Sequence, residues 1–474
     1  MPINSLLYPS NVFVPTPFNV DNSVRMDGSS KFTRSFGSAG NRKKWTMSMW
    51  VKRGALSADQ KLMGKYTSSS DRFALLFNGS DQLQIFWGNS GGNKQITTNR
   101  LFRDTSAFYN FTFIIDTGNS TESDRMQIWV NGVRETSMAS TAYPTSGQDL
   151  PWNDSGVNEI GSYNNGNKFN GYLAEVVFQN DNAATPVDKF ISFDEDSGIC
   201  VPIDVSGLTL GTNGFYLDFE DSSALGDDAS GSNNFTPSGI AATDQSTDTC
   251  TNNFATMNPL GSGAVTFTEG NLQVTKSGSG FLNAIANIGA SSGKWYAEAK
   301  AISIGSVTYG SYIGFINLDV TNKQNTPGVN IGEAPDSAGI SSGGGYIYYN
   351  GNQFTGATTA TTNGDIVNLA MDLDNGRLYW GINGTYVNSG NPASGSTGTG
   401  GMPIANLTAG GTYTFGVSLR NDAKYSWNFG NGYFGTTAIT TNSGNGYAGA
   451  EGASKFHYAV PNGYSALNTK GLNQ

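Results

Sequence analysis

Apolar and polar residues alternate with a period of two along much of this chain, and the clearest case lies at Gly364–Val387. The first strand there places apolar side chains on one face at Val367, Leu369, Met371 and Leu373. The alternation is interrupted at Asn375-Gly376 and again at Asn383-Gly384, and such pairs tolerate the two positive φ angles of a type I′ turn. Asp374 and Arg377 flank the first pair, so we expect opposite charges to face each other there. The pattern predicts a three-stranded meander with one buried face.

The same alternation recurs between Val24 and Asn182. Its apolar faces are formed by Met47, Met49 and Val51, by Phe73, Leu75 and Phe77, by Leu83, Ile85 and Trp87, by Phe111, Phe113 and Ile115, and by Met126, Ile128 and Val130. A further strand is predicted at Gly171–Phe178. Strands at such intervals, separated by turn residues such as Asn131-Gly132, are typical of an antiparallel sandwich or jelly roll.

Composition supports an all-β chain with more than one domain. The 474 residues are enough for two or three cores. Glycine occurs 62 times, and charged residues make up 14% of the chain, well below the usual share of about 25%. We find no long segment with helical spacing of apolar residues. We therefore predict two antiparallel β-sandwich (jelly-roll) domains joined by an irregular connector.

The second half of the chain resembles a SPRY domain. The meander carries the family's Gly-Asp, Asp-Leu-Asp and Asn-Gly pattern, and four further segments follow in family order: Gly293–Glu298, Tyr312–Phe315, Phe415–Leu419 and Trp427–Gly430. The resemblance implies a β-sandwich that presents loops to a partner, and it does not define a function.

The first half resembles the laminin-G-like, concanavalin-A-like jelly roll. The matching segments are Trp45–Lys52, Met126–Val133, Ile160-Gly161 and Gly171–Val176. The family often has Trp-His before the central strand, where this chain has Phe108–Asn110. That departure weakens the transfer of a metal site from the family to this chain.

Between the two halves the chain is least periodic. Gly214–Asn234 and Asn252–Leu260 resemble a connector that joins a laminin-G-like to a SPRY-like domain in virion proteins of tailed bacteriophages, and Pro461–Thr469 resembles the close of the same proteins. We predict an N-terminal arm at 1–22, a laminin-G/concanavalin-A-like sandwich at 23–182, a connector at 183–260, a SPRY-like sandwich at 261–430 and an irregular tail with little core at 431–474.

Charge and hydropathy exclude several classes of binding partner and location. A net charge of −10 argues against nucleic acid, because phosphate contacts need clustered cations. No apolar run is long enough to cross a bilayer, and the N-terminus has no pattern of a secretory signal. Cys200 and Cys250 are expected to be free thiols, with a single bridge between them as the alternative. We expect the protein in the virion, assembled in the host cytoplasm.

Few residues support catalysis. The single histidine, His457, lies in the Gly-rich tail, a poor place for a catalytic base. Endoglucanases of the concanavalin-A-like fold carry Glu-x-Asp-x-x-Glu, and the nearest approach here is Glu122-Ser-Asp124 followed by Gln127, which cannot act as a general acid. We therefore expect no enzyme activity, with a glycosidase as the rival hypothesis.

No cofactor is expected, with calcium bound to the acidic connector as the alternative. Hard cations need clustered oxygen ligands, and the candidate residues are Asp218, Glu220, Asp221, Asp227 and Asp228. The alternative is that these carboxylates belong to a solvated connector.

Two polar loops with aromatic residues are candidate sugar sites, because a sugar presents an apolar face to a ring and hydroxyl groups to amide side chains. The candidate residues are Tyr346, Tyr348, Tyr349 and Asn350 in one loop and Tyr163, Asn164 and Asn165 in the other. Tyr346 and Tyr348 share a face, Tyr349 lies on the opposite one, and one of these faces is expected to be core.

Together these features predict a non-enzymatic structural protein of a bacteriophage, a fibre, appendage or decoration subunit that binds host cell-surface glycans in attachment. Its expected partners are other virion proteins and host surface polysaccharide, with a homotrimer suggested by analogy to fibres. The alternatives are a polysaccharide-degrading glycosidase of the virion and an architectural subunit without a ligand.

Overall fold

The computed structural model describes residues 18–89, 92–181, 189–195, 197–260, 264–305, 310–319, 329–355, 360–407, 411–439 and 447–473. Most of the predicted N-terminal arm, residues 1–17, lies outside these ranges. Regular structure within them is almost entirely β-strand, so the predicted all-β fold is confirmed. No helix in these ranges is long and apolar enough to cross a membrane.

The N-terminal half forms two facing sheets, A and B. Its strands are β1 (Ser23–Asp27), β2 (Lys31–Phe36), β3 (Lys44–Arg53), β4 (Gln60–Ser68), β5 (Asp71–Phe77), β6 (Gln82–Asn89), β7 (Gly92–Leu101), β8 (Tyr109–Asp116), β9 (Met126–Val130), β10 (Val133–Arg134), β11 (Met138–Thr141), β12 (Gly156–Ile160), β13 (Asn170–Asn180), β14 (Ile191–Phe193), β15 (Cys200–Pro202), β16 (Phe215–Leu217), β17 (Thr236–Ser238) and β18 (Gln245–Ser246). Sheet A has the order β10-β9-β8-β3-β13-β1-β18 with β16 beside β13, and sheet B has the order β11-β7-β6-β5-β4-β12-β2-β17. Strands β14 and β15 form a separate hairpin, and 3₁₀ turns lie at Glu122–Asp124 and Ala242–Asp244.

Sheets A and B pack together through the apolar faces that the alternation predicts. Met47 and Met49 of β3 and Phe73 and Leu75 of β5 are fully buried in one cluster with Trp45. Each fully buried side chain of this size stabilises the fold by roughly 1.5–3 kcal/mol. The residues between them, Ser48 on β3 and Ala74 on β5, therefore lie on the opposite faces of the two sheets.

The predicted connector contributes strands to this first sandwich. β16 pairs with β13, β17 with β2, and β18 with β1. Phe215, Leu217 and Phe219 belong to the same buried cluster as the β3 and β5 residues. Much of 183–260 is thus integrated into the first sandwich, although its conformation is largely irregular between short strands.

The C-terminal half forms sheets C and D. Its strands are β19 (Thr266–Thr268), β20 (Gln273–Lys276), β21 (Leu282–Ile285), β22 (Lys294–Ser303), β23 (Tyr312–Asn317), β24 (Ser337–Ser341), β25 (Ile347–Tyr349), β26 (Asn352–Thr355), β27 (Ile366–Asp372), β28 (Arg377–Ile382), β29 (Thr385–Tyr386), β30 (Met402–Pro403), β31 (Tyr413–Leu419), β32 (Ala423–Asn428), β33 (Tyr433–Phe434), β34 (Thr437–Ala438) and β35 (Ser465–Ala466). Sheet C has the order β19-β20-β32-β22-β27-β28-β29, with β30 beside β28 and β35 beside β22. Sheet D has the order β21-β31-β23-β24-β25-β26, and β33 pairs with β34. Short helical turns lie at Val387–Ser389, Pro392–Thr397, Ile404–Asn406 and Thr469–Leu472.

The meander of β27, β28 and β29 has the predicted strands and one of the two predicted turns. Asn383 and Gly384 have φ angles of 51° and 81° between the paired residues Ile382 and Thr385, which is type I′ geometry. The first turn was predicted wrongly. Asp372 pairs with Arg377, so the loop contains four residues, 373–376, and Asp374 does not face Arg377.

The side chain of Asp372 explains the wider first turn. Its Oδ1 accepts the N–H of Asn375 at 2.9 Å, and its Oδ2 accepts the Asn375 amide at 2.9 Å. Asp374 instead accepts the N–H of Gly293 at 2.7 Å, which ties the loop to the start of β22. Side-chain acceptors thus set the geometry of this turn more strongly than the Asn-Gly pair does.

The C-terminal tail covers the outer face of sheet C, so the prediction of one buried face and of a tail with little core is wrong. Phe456, Tyr464 and Ala466 are buried against Tyr296 and Tyr379 of that sheet. The rings of Tyr296 and Phe456 lie 4.8 Å apart in an edge-to-face contact. The meander is therefore buried on both faces.

The two sandwiches contact each other through buried polar groups. Lys52 is fully buried, and its ammonium donates to Asp248, to the Asn253 side chain and to the Phe254 carbonyl, each at 2.7 Å. The Tyr172 hydroxyl donates to the carbonyl of Gly270 at 2.9 Å. These contacts join residues of the first sandwich to the start of the second.

A smaller cluster covers the outer face of sheet A. Glu175 lies there at a bulge of β13, with a φ of 50°, and its carboxyl accepts the Tyr216 hydroxyl at 2.6 Å. Cys200 and Cys250 pack against the same cluster and are free, as predicted. Burial raises the pKa of Cys200 to about 12, so this thiol stays protonated at neutral pH.

Candidate functional site

A shallow cleft of about 460 Å³ lies on the outer face of sheet B. Strands β4 to β7 form its floor, and the loop between β12 and β13 forms one wall. Its lining consists of Asp59, Lys61, Arg72, Ala74, Leu76, Gln84, Phe86, Asn93, Gln95, Tyr163, Asn164, Gly166 and Asn167. We call this feature the sheet B cleft.

The floor of the cleft is the outward half of the alternation that builds the core. On β5, Phe73 and Leu75 point into the sandwich, so Ala74 and Leu76 face outward. Ala74 pairs with Phe86 of β6, which places a half-exposed ring at the centre of the floor. The floor is therefore a row of aliphatic and aromatic side chains flanked by polar ones.

The wall of the cleft is a tight turn. Asn164 and Asn165 have φ angles of 50° and 57° between the bridged residues Tyr163 and Gly166, which is again type I′ geometry. The N–H of Lys61 donates to the carbonyl of Asn167 at 2.8 Å and fixes this loop to β4. Asn adopts positive φ angles with less steric strain than most other residues do. The Asn164-Asn165 pair therefore favours this turn.

Tyr163 is held in the wall by packing. A Cβ added at Gly64 of β4 would lie 2.9 Å from the Tyr163 side chain. The absence of a side chain at Gly64 therefore leaves the space that Tyr163 occupies. The Tyr163 ring also makes an edge-to-face contact with Tyr66 at 5.6 Å. Burial raises the pKa of Tyr163, and the neighbouring Arg72 opposes this effect. A fixed, half-exposed ring of this kind can stack on a sugar.

Hydrogen-bonding groups surround the two rings. Lys61 carries an ammonium 3.7 Å from Asp59, and burial lowers its pKa against the effect of that carboxylate. The guanidinium of Arg72 lies over the Phe86 ring at 5.0 Å. Gln84 donates its amide to Thr97 at 2.9 Å. The cleft thus combines aromatic faces with charged and amide groups.

The structure brings part of one predicted site to the cleft. Tyr163 and Asn164 line it, whereas Asn165 belongs to the turn and its N–H donates to Glu159 at 3.3 Å. No motif or composition signal selects Lys61 or Arg72. Their position on the outward half of alternating strands is the one signal that marks them.

The other predicted loop contributes to an aromatic ridge on the outer face of sheet D. The ridge consists of Tyr346, Tyr348, Tyr312 and Phe281, with ring centres 6.2, 5.9 and 5.6 Å apart in that order. All four rings are half-buried. Successive rings are tilted by 57°, 64° and 74°, so the ridge presents edges and faces in turn instead of a flat platform.

Tyr349 and Asn350 serve the fold. Tyr349 packs against the core of the second sandwich, as the opposite face of the strand predicts. Asn350 and Gly351 form a turn between β25 and β26, and the Asn350 side chain accepts the N–H of Asp336 at 2.6 Å. Neither residue joins the ridge, and their role as ligand contacts stays a prediction.

The residues of the glycosidase hypothesis lie away from the cleft. Glu122 and Asp124 form an exposed 3₁₀ turn before β9, and Asp124 pairs with Arg134 at 2.7 Å. Gln127 donates to the carbonyl of Asp124 at 3.3 Å. Among the described residues that line the cleft, Asp59 is the one carboxylate, whereas glycoside hydrolysis uses two.

The candidate calcium ligands act in local turns. Asp228 accepts the N–H groups of Tyr216 and Asn233 at 2.9 Å, and Asp221 accepts that of Ser223 at 2.8 Å. Glu220 accepts the Asn22 amide, Asp218 accepts the N–H of Glu220, and Asp227 accepts the Asn234 amide. The described residues contain no group of three or more carboxylate, His or Cys ligands that could hold a metal. Calcium binding here stays a prediction.

Comparison with known proteins supports the fold of the first sandwich. Residues 27–186 match the family model described as the concanavalin A-like lectin/glucanases superfamily, which confirms the predicted resemblance for this part of the chain. A comparison of the sequence with curated proteins found no match.

Several solved structures are similar to parts of the chain. The SPRY domain of human HERC1 is 15% identical over 36% of this chain and 96% of that chain, with a TM-score of 0.29. A heptameric SAP-like pentraxin from Limulus polyphemus is 15% identical over 35% and 78% of the two chains, with a TM-score of 0.26. A candidate carbohydrate-binding protein from Bacteroides ovatus is 18% identical over 48% and 60%, with a TM-score of 0.30. At these values the similarities assign no ligand to this chain.

Proposed function

We propose that this chain is a non-enzymatic structural protein of a bacteriophage particle and that it binds host cell-surface glycans through the sheet B cleft. The observation that carries the glycan assignment is the pairing of two fixed half-exposed rings, Phe86 and Tyr163, with amide and charged groups in one shallow cleft. Sugars need this combination, because each pyranose has an apolar face and a rim of hydroxyl groups.

The assignment to a virion is supported by a resemblance in the sequence. The connector segments Gly214–Asn234 and Asn252–Leu260 and the ending Pro461–Thr469 resemble phage particle proteins that join the same two kinds of domain. In such a particle the partners would be other virion proteins, with a homotrimer as the assembly suggested by fibres. Mass spectrometry of purified particles tests this part, and absence of the chain from them would refute it.

The glycan assignment is tested by binding of the full chain to polysaccharide isolated from host cells. The Tyr163→Ala variant removes a ring from the wall, so its affinity should fall about tenfold, the equivalent of about 1.4 kcal/mol. The matched control is Tyr447→Ala, which removes an exposed tyrosine of the C-terminal tail.

Three outcomes separate the possible functions. Binding that weakens only in the Tyr163→Ala variant supports the proposal. Binding of no polysaccharide by the natural chain would indicate an architectural subunit. Steady release of reducing ends, lost in a Glu122→Gln variant, would instead indicate a glycosidase.

A further inference from the structure

The charges of the sheet B cleft differ in sign from those of the chain. The whole sequence has 27 basic and 37 acidic residues, for a net charge of −10. The described lining of the cleft contains two cations, Lys61 and Arg72, and one carboxylate, Asp59. A local excess of positive charge attracts anions to the cleft. Most of the remaining surface of this acidic protein repels them.

We propose that the cleft selects acidic polysaccharides, chains whose sugars carry carboxylate groups, over neutral ones. This inference rests on the proposed glycan binding and adds the class of the ligand. Lys61 and Arg72 would bind the carboxylates, and Phe86 and Tyr163 would contact the sugar rings between them.

Lys61 has capacity for a further anion. The residue is 9% exposed, and its ammonium has one ionic contact among the described residues, Asp59 at 3.7 Å. The other oxygen of Asp59 already accepts the N–H of Gly79 at 2.8 Å, which holds the carboxylate at the edge of the cleft. An ammonium has three donors, so a ligand carboxylate would add the close, charge-assisted hydrogen bond that this buried cation lacks.

The guanidinium of Arg72 is held in a fixed orientation at the other end of the cleft. Its guanidinium lies over the Phe86 ring and donates to the side chain of Asn93. These contacts fix the plane of the group and leave further donors, since a guanidinium carries five. A planar fork of this kind matches the two oxygens of a carboxylate.

The spacing of the two cations favours a polymer. Lys61 pairs with Leu76 across β4 and β5, and Leu76 lies four residues from Arg72 on β5. Four residues of strand span about 13 Å. The Cα atoms of the two cations are thus separated along the strands by about four residues, and an oligosaccharide with acidic groups on separate sugars can lie between them along the floor over Ala74 and Phe86.

The test uses acidic polymers and their carboxyl-reduced forms. Hyaluronan, alginate and polygalacturonate are each offered to the full chain beside the same polymer after reduction of its carboxylates to hydroxymethyl groups. At least one acidic polymer should bind about tenfold or more tightly than its reduced form, the effect of one charge-assisted hydrogen bond. Raising the salt from about 0.05 to about 0.5 M should reduce this preference.

Two variants locate the preference. Lys61→Met and Arg72→Met remove one cation each and keep apolar volume, so either should weaken binding of the acidic form more than binding of the reduced form. Lys43→Met is the matched control, because this side chain is 49% exposed and absent from the cleft lining. Near-UV circular dichroism verifies that each variant is folded.

The outcomes keep this inference apart from the proposed function. Equal binding of acidic and reduced polymers, or a preference that survives in the Lys61→Met/Arg72→Met double variant, would overturn the selectivity and leave glycan binding intact. Binding of none of the polymers, together with no binding of host polysaccharide, would overturn both.

Discussion

The buried carboxylate of Glu298 accepts the backbone N–H groups of two successive residues in the C-terminal tail, His457 at 2.9 Å and Tyr458 at 2.8 Å. Glu298 lies on β22 and is fully buried. The Asn428 amide and the Tyr296 hydroxyl, each at 3.1 Å, complete its shell of partners. A strand of sheet C thus holds the tail segment that covers it.

Substitution of Glu298 by Gln should destabilise the second sandwich. Gln keeps the shape of Glu but places an NH₂ group against backbone donors that need an acceptor, and each buried donor without a partner costs about 1–3 kcal/mol. At pH 4.5, well below the pKa of about 7 to which burial raises the Glu298 carboxyl, the folded carboxyl is protonated and the substitution removes no buried charge. There we expect a loss of at least about 2 kcal/mol in the free energy of unfolding by urea. The exposed control Glu333→Gln should change it little, and equal stability of the two variants would contradict the role assigned to Glu298.

Substitution of Glu175 by Gln should have the opposite effect at high pH. Burial and the nearby charges of Asp218 and Glu220 raise the pKa of Glu175 to about 8, above the unfolded value of 4.5. A raised pKa means that the folded state holds the proton more tightly, so this stabilisation is complete below pH 4.5 and is lost as the pH rises through 8.

Between those limits Glu175→Gln should gain stability over the natural chain by up to about 1.4 kcal/mol for each pH unit. The Gln side chain can still accept the hydrogen bond from Tyr216. Urea unfolding at pH 5, 7 and 9 measures the difference, and a gain that does not grow with pH would show that Glu175 does not titrate as described.

Loss of the Lys52 ammonium should weaken the junction between the sandwiches. Lys52→Met leaves Asp248 fully buried without its cation, and breaking a buried pair in this way costs about 3–5 kcal/mol. The Lys52→Met/Asp248→Asn double variant removes both charges and should recover part of that loss. Thermal unfolding of the three proteins measures it, and a double variant less stable than Lys52→Met would refute the pairing argument.

A substitution in the aromatic ridge can distinguish its contribution to glycan binding from that of the cleft. Tyr348 contacts the rings on either side of it, Tyr346 and Tyr312. If the ridge also contacts host polysaccharide, Tyr348→Ala should lower the affinity about tenfold and add to the effect of Tyr163→Ala, because the two positions lie in different sandwiches. Unchanged affinity would assign the ridge to stabilising cross-strand contacts of sheet D.

The sequence predicts the fold well where the pattern is local. Met47, Phe73 and Trp87 fall on buried faces because period-two alternation alone decides which side of a strand is apolar. Tyr163 is found for a similar reason, since Asn164 and Asn165 next to it suit a tight turn. These predictions depend on residues that are close in sequence.

The sequence predicts poorly what depends on distant partners. Phe456 and Tyr464 lie in a Gly-rich segment without alternation, and their burial depends on contacts with β22 and β28. Lys61 and Arg72 look like ordinary outward residues until four strands and a loop place them in one cleft. The first turn of the meander was mispredicted because Asp372, a strand residue, supplies the hydrogen bonds of the loop.

The closing of sheet C by the tail has a consequence for synthesis of the protein. β35 pairs in parallel with β22, about 170 positions earlier in the chain, and Leu467 completes the buried cluster of the second sandwich. When the ribosome has translated the first sandwich and all of β22 to β32, the segment that shields Tyr296 and Tyr379 from water has not yet emerged. The second sandwich therefore completes its folding only once residue 467 has emerged, and until then its uncovered face is a surface on which nascent chains can associate.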